Sequence, residues 1–488
     1  MAQVTTESLD PEDWEQFRAL AHRALDDAVE HMRTGRERPV WQPAPADVLA
    51  KLQTPLPHAP QGAMGAYLDY RDWVQPYQMG NTHPRFWGWF MGSGTPFGAL
   101  GDFLAAAMNP NMGGGNHVGN QVELQVVDWC REMLGLPRGT GGLLVSGASM
   151  ANLVGLAVAR TAGAGVDVRQ LGIAAARAPL LFYASEEVHS CIQRALELLG
   201  HGATSLIKIP VDENYCMRIG ALRERIAVDR RAGFRPCAII GTAGTINTGA
   251  IDDLDALADL CRQEQLWFHV DGAIGAVLAA SPAQCARVRG MERAHSVALD
   301  LHKWLHVPFE AGCILVRDAE QHRNTFALTP SYLKHAERGI AAGAHWFSDY
   351  GIQLSRGFKA LKVWLSFKEH GIDRYGRLID RNIQQAAALC ELVRREPELE
   401  LMAPAPLNIV CFRYRAAGRD VAELNAFNEE LLIRLHESGV AVPSYTTLQG
   451  RYCLRVAICN HRTRHDDLVT LVGAVLDQGR ALVSAGKN

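Results

Sequence analysis

The stretch LWFHVDGAIGA, residues 266–276, runs largely apolar and then reaches Asp271, as a buried strand does when its carboxyl end carries an acid. Thirty-two positions further on, within SVALDLHKWLHVPFE at 296–310, stands Lys303. Outward from this pair, strand-like and helix-like segments alternate. GGLLVSGAS (141–149) precedes ANLVGLAVAR (151–160), PLLFYAS (179–185) precedes HSCIQRALELLG (189–200), and PCAIIGTAGT (236–245) precedes LDALADLCRQEQ (254–265). The alternation predicts an α/β fold, a mostly parallel sheet with helices on both faces. Ligands of such sheets sit beyond the carboxyl ends of the strands, where GTAGT, HVDGA and DLHKW fall.

A chain of 488 residues suits two or three domains of roughly 100 to 200 residues each. Residues 1–90 read as an N-terminal helix, with apolar spacing from Pro11 to about Met32, followed by an extended arm in which six prolines interrupt 36–65. Residues 91–375 carry the βα alternation. Residues 376–488 read as helix followed by the strands LNIVCFRY and RYCLRVAIC, a smaller α+β domain. A formal charge of -3 without Lys/Arg runs argues against nucleic acid, and no membrane span or secretory signal is read. Eleven scattered cysteines without a CxxC pair predict reduced thiols, a cytoplasmic setting and no metal site.

A lysine paired with an acid one strand upstream is what a pyridoxal phosphate site needs. The amine forms a Schiff base with the cofactor aldehyde, and the acid keeps the pyridine nitrogen protonated so that the ring accepts electrons. Apolar Trp304, Leu305, Val307, Pro308 and Phe309 around Lys303 predict a desolvated amine of lowered pKa. In SGAS a strand turns into a helix whose first N–H groups and hydroxyls can cradle a phosphate. His189 offers a flat ring at a helix start, or simply a cap. Thr242 and Thr245 offer hydroxyls at a strand end, or simply a turn.

Taken in order, SGAS, YASEEVH, GTAGT, HVDGA and DLHKW resemble the group II pyridoxal phosphate-dependent amino-acid decarboxylases, nearest the aromatic-L-amino-acid decarboxylase branch. HPRFWGWF, SYLKH, LSRGFKALKVW and LRVAICN extend the resemblance over nearly the whole chain. It implies fold type I: a large domain with a mostly parallel seven-stranded sheet, a small C-terminal α+β domain and an N-terminal helical arm. It also implies a homodimer with active sites at the subunit interface and an amino-acid substrate. Carried over by motif, Lys303 is the Schiff-base lysine and Asp271 the pyridinium partner. His189 stacks on the ring, Ala148 and Ser149 hold the phosphate, and Thr242, Ala273 and His302 complete the contacts, with Asp300 near the phosphate. The activity implied is decarboxylation of an L-amino acid to the amine and CO2 through a quinonoid intermediate.

Two departures from the family pattern bear on the product and the substrate. Relatives use a loop tyrosine before the LxRxF segment to protonate Cα. Ungapped counting places Phe347 there, with Tyr350 three residues later as the alternative donor. Phenylalanine at that place marks an aldehyde-synthase branch, whose products are an aldehyde, ammonia and peroxide. A non-catalytic binding paralogue is a further reading, against which the intact lysine and acid count. In the second departure, AAAMNPNMGGGNHVGNQVE leaves Asn109, Asn111 and Asn116 where a more aromatic pocket wall is expected, while Trp87, Trp89 and Phe90 remain available for a ring.

Overall fold

The computed structural model describes residues 7–328 and 336–485. Seven strands form the large sheet: β1 Gly141–Val145, β2 Leu180–Ser185, β3 Leu206–Ile209, β4 Arg235–Thr242, β5 Trp267–Asp271, β6 Ser296–Asp300 and β7 Gly312–Val316. Their order is β1-β7-β6-β5-β4-β2-β3. The neighbours from β6 through β3 pair in parallel, and β7 lies antiparallel to both β6 and β1. This is the mostly parallel seven-stranded sheet the sequence predicts.

Helices on both faces explain why β2, β5, β6 and β7 are buried along their whole length. On one face the helix Ala148–Gly163 sets Val154, Leu156 and Val158 into a cluster with Phe182, Ile240 and Ile314. On the other, Leu257 and Leu260 of the helix Leu254–Glu264 join Ile239, Phe268 and Leu315. The strand register then brings three polar termini to one edge. Thr242 pairs with Asp271, Asp271 with Ala298, and Asp300 with Gly312.

Gly312 is required for a close approach at this edge. A Cβ there would lie 2.5 Å from Cα of Gly147, at the turn that starts the helix Ala148–Gly163. Without that side chain the turn settles onto the end of β6, and the Ala148 N–H donates to Asp300 Oδ1 at 2.7 Å.

The C-terminal sheet contains β8 Leu399–Leu401, β9 Ile409–Tyr414, β10 Val442–Leu448 and β11 Arg451–Ala457. The N-terminal arm adds Phe86–Trp87 as a parallel edge strand on β10. The helix Ile372–Arg395 crosses the expected boundary at 375/376, and the break falls instead at Gly371, whose φ of 67° suits a residue without a side chain. The helix His465–Ala485 is long and apolar enough to cross a membrane by length and composition, yet Leu468, Leu471 and Val475 are buried in this domain's core.

The first helix spans Trp14–Arg33, capped by Asp13, whose carboxylate accepts from Glu15 N and Gln16 N. None of its residues is buried, and Trp14, Phe17, Leu25 and Val29 are exposed. In the proline-rich arm only short helices form, Ala46–Lys51 and Gly62–Asp69.

Candidate active site

A cavity of about 390 Å³ opens at the carboxyl edge of the large sheet. Its wall contains Ala148, Ser149, His189, Thr242, Asp271, Ala273, Asp300, His302 and Lys303, every cofactor contact predicted from the sequence. These residues come from five loops, and it is the strand order that gathers them. Phe309 and Glu310, from the chain beyond Lys303, complete the rim.

Lys303 is anchored by the segment on its C-terminal side. Trp304 is buried, donates its indole N–H to Asn382 Oδ1 at 2.9 Å and meets Phe90 edge-on, while Leu305 and Val307 are fully buried. The Lys303 Nζ lies 2.8 Å from Asp300 Oδ2. Burial alone would lower the lysine pKa, but the ion pair and hydrogen bond with Asp300, reinforced by Asp271, raise it above the ordinary value. The lowered pKa expected from the apolar neighbours is therefore corrected: a carboxylate three residues upstream outweighs desolvation.

Asp271 is buried, accepts from Ala273 N at 3.2 Å and forms no ion pair among the described residues. Burial raises its pKa, opposed by the nearby charge of Lys303 and by the Ala273 N–H. A carboxylate so placed calls for a cation at the cavity centre. Behind it, His269 spends both ring nitrogens, on Ser296 Oγ at 2.7 Å and Asn152 Oδ1 at 2.8 Å, which fixes the strand end.

His189 caps the helix Ser190–Leu198 through Nδ1, which accepts from Cys191 N at 3.2 Å. Burial lowers its pKa, so the ring is neutral and carries its proton on Nε2. Cap and cavity wall are one residue here. Thr242 N donates to Asp252 Oδ2 at 2.8 Å, leaving its buried Oγ1 without a partner. Thr245 instead bonds Thr248 Oγ1 and Ala250 N and is a turn residue. His302 Nδ1 is held by Ala311 at 3.0 Å, with Nε2 3.7 Å from Asp300.

Tyr350 requires correction. Neither it nor Phe347 lines the cavity. Phe347 is fully buried and Tyr350 is 8% exposed, both within the core that contains Leu143 and Val145 of β1. The Tyr350 ring stacks on His345, and its carbonyl accepts from His322 Nε2 at 2.8 Å. Arg356 of the LSRGF motif lies 5.0 Å over the Phe347 ring and forms a buried ion pair with Glu123. Within one subunit this segment is held by packing away from that subunit's own cavity.

Of the expected polar wall, Asn111 and Asn109 have backbone-shaping parts within the subunit. Asn111 Oδ1 accepts from Gly113 N and Arg356 N, each at 3.0 Å, and Asn109 ends the helix Pro96–Met108 with a φ of 43°. Glycines in that stretch make room for Trp346, since a Cβ on Gly114 would lie 2.2 Å from its ring. Of the three aromatic candidates, Trp87 and Phe90 belong to the core and Trp89 is exposed. The SYLKH motif lies outside the described residues.

One residue escaped the sequence reading. Arg455 is almost fully buried, donates from Nε to Ile246 O and from Nη1 to Trp89 O at 2.6 Å each, and has an unpartnered Nη2. Of the other buried arginines, Arg356 and Arg413 meet glutamates, whereas Arg455 meets no carboxylate among the described residues. It ties the cavity wall at Ile246 to the backbone of Trp89. Only its place inside LRVAIC hinted at burial.

The donor set fits pyridoxal phosphate: an amine, a buried acid lacking its cation, an orphaned hydroxyl and a helix start in one cavity. Fold and site together define a pyridoxal phosphate enzyme of fold type I. The family model for the pyridoxal-dependent decarboxylase conserved domain matches residues 45–415. An aromatic-L-amino-acid decarboxylase of Bacillus atrophaeus is 34% identical over 94% of both chains, and a phenylacetaldehyde synthase of Arabidopsis thaliana is 29% identical over 92% of this chain and 93% of its own. The crystal structure of Oryza sativa TDC with PLP and tryptamine superposes with a TM-score of 0.88 at 25% identity, over 98% of this chain and all of that one. The chain belongs to the pyridoxal-dependent decarboxylase family, and its activity is decarboxylation of an amino acid.

Asp300 sets when the lysine becomes a nucleophile. In the cofactor-free enzyme it holds the proton on Lys303, so cofactor capture accelerates as pH rises through the lysine pKa. Asp300→Asn should move that rate profile to lower pH, read by stopped-flow absorbance of the cofactor. An unmoved profile would mean that Asp300 does not hold the proton.

Proposed function

We propose that the enzyme converts an aromatic L-amino acid to its amine and CO2 as a cytoplasmic homodimer with active sites at the subunit interface. The observation that carries the amine product is the 34% identity to an aromatic-L-amino-acid decarboxylase, above the 29% to the aldehyde synthase. The similarity to an aromatic-L-amino-acid decarboxylase supports the substrate class. The dimer is supported by the exposed apolar residues of the helix Trp14–Arg33, which a second copy would cover. All eleven cysteines are free, in keeping with a reducing compartment.

When bound, pyridoxal phosphate supplies an aldehyde and an electron-accepting ring. This chain's residues do the rest. Lys303 would offer the amine that holds the aldehyde until a substrate amine takes its place. Asp271 would keep a proton on the ring nitrogen, whose charge would meet a buried carboxylate that otherwise has no ion-pair partner among the described residues. His189, neutral, presents a flat face and an Nε2–H to the reacting centre. Ser149 and the start of the helix Ala148–Gly163 receive the phosphate. Thr242 Oγ1 has a hydrogen bond to give inside the cavity.

A proton must still reach Cα. Among the tyrosines of the family-like motifs, Tyr183 is buried on Asp229 and Tyr350 is packed in the core.

One preparation tests these points together, by sedimentation mass and by CO2, amine, aldehyde and oxygen balance on a panel of amino acids. Wild type should run as a dimer and release amine and CO2 in equal amounts, with no oxygen uptake. Tyr350→Phe should match it within about twofold. Oxygen uptake with aldehyde release by the wild type would overturn the amine reading, and a monomer would overturn the dimer.

A further inference from the structure

A second cavity, of about 590 Å³, lies between the end of the first helix, the start of the helix Pro96–Met108 and the C-terminal domain. Its wall includes Arg33, Arg36, Arg381, Arg462 and Arg464, with His31 and His461, and no aspartate or glutamate among the described residues. Two of these charges are met nearby, Arg33 by Glu30 and Arg36 by Asp467. Arg381, Arg462 and Arg464 have no carboxylate partner among the described residues.

The guanidinium groups are held in place by carbonyl groups, which position them without neutralising them. Arg462 donates to Ser93 O at 3.2 Å and Arg381 to His461 O at 2.5 Å, while Arg36 donates to Arg462 O at 2.7 Å. The helix Pro96–Met108 starts at this wall, capped by Thr95, so its positive end adds to the same field. Carbonyl-fixed arginines converging with a helix start on a chamber free of acids are the donor arrangement of an oxyanion site.

This chamber shares a wall with the active site. Phe309 lines both cavities, and its ring lies 4.3 Å from that of His302. Gly92, also in the wall, is packed so closely that a Cβ would lie 2.1 Å from His302 O and 2.4 Å from Lys303 O. His461 Nε2 donates to Gly94 O at 3.2 Å, which ties the arginine loop to that same segment. Anything that orders residues 92–95 presses on the turn that carries the catalytic lysine.

We propose that this chamber is a regulatory site for a multiply charged oxyanion, a phosphate or polycarboxylate, whose binding stiffens the turn around Lys303. The regulatory half rests on the decarboxylase reading, whereas the binding half does not. The test is calorimetric titration of holoenzyme with inorganic phosphate and, separately, with citrate, at constant ionic strength.

Saturable binding is expected, weakened roughly tenfold or more in Arg464→Gln and in Arg381→Gln/Arg464→Gln. Arg464 shows no side-chain hydrogen bond or ion pair among the described residues, so its exchange spares the fold. The bound anion should shift kcat of the wild type at least twofold and leave Arg464→Gln, of unchanged basal rate, unmoved. Phosphate binding without citrate binding would identify the source as phosphate, and the reverse as carboxylate. No saturable heat with either anion, or equal affinity in the variants, would overturn the site. Binding without a change in kcat would overturn its regulatory role while leaving the decarboxylase assignment intact.

Discussion

Everything at the carboxyl edge of the large sheet turns on the carboxylate of Asp300. One oxygen receives the first N–H of the phosphate-cradle helix and the other receives the ammonium of Lys303. It therefore joins two chain segments that are 155 residues apart (303 minus 148) through a single group at a strand end. Gly312 and Gly147 permit this by bringing their backbones into contact. A side chain at Gly312 would lift the helix start from the strand end and separate cradle from lysine.

Around that clamp the enzyme keeps charges that burial disfavours. Asp271 has no cation of its own, and Arg455 has no anion among the described residues. Leaving such groups unpaired is costly, several kcal/mol for each ion in apolar surroundings. The Glu123–Arg356 pair shows how the same fold treats charges whose role is purely structural, for they are matched, surrounded by carbonyls and sealed. The contrast sets Asp271, which faces the cavity, apart from the pair that holds the loop carrying Phe347.

Strand-end motifs were legible because they obey short-range rules. Apolar runs ending in Thr242, Asp271 and Asp300 mark the parallel edge, and the nine residues expected to hold the cofactor line one cavity there. What sequence spacing could not give was anything set by long-range packing. Phe347 and Tyr350 were placed at the site by counting along the chain, whereas Arg356 and Glu123 draw that segment into the core. The lysine pKa was misjudged because Asp300 lies one turn away and its orientation is not written in the apolar pattern. Arg455 went unseen because a buried arginine without a carboxylate is defined by what is absent around it. The edge strand Phe86–Trp87, taken from the N-terminal arm into the C-terminal sheet, is likewise a pairing over 356 residues (442 minus 86) that local pattern does not announce.

The central claim is that Asp271 holds the proton that makes the bound ring an electron acceptor, with Lys303 supplying only the attachment. Asp271→Asn keeps the shape and removes the charge. The decisive measurement is the single-turnover decarboxylation rate of this variant, with cofactor content measured on the same sample. A fall of about a hundredfold or more, with cofactor still attached through Lys303, is the predicted result. A rate within about twofold of wild type at full cofactor content would contradict it.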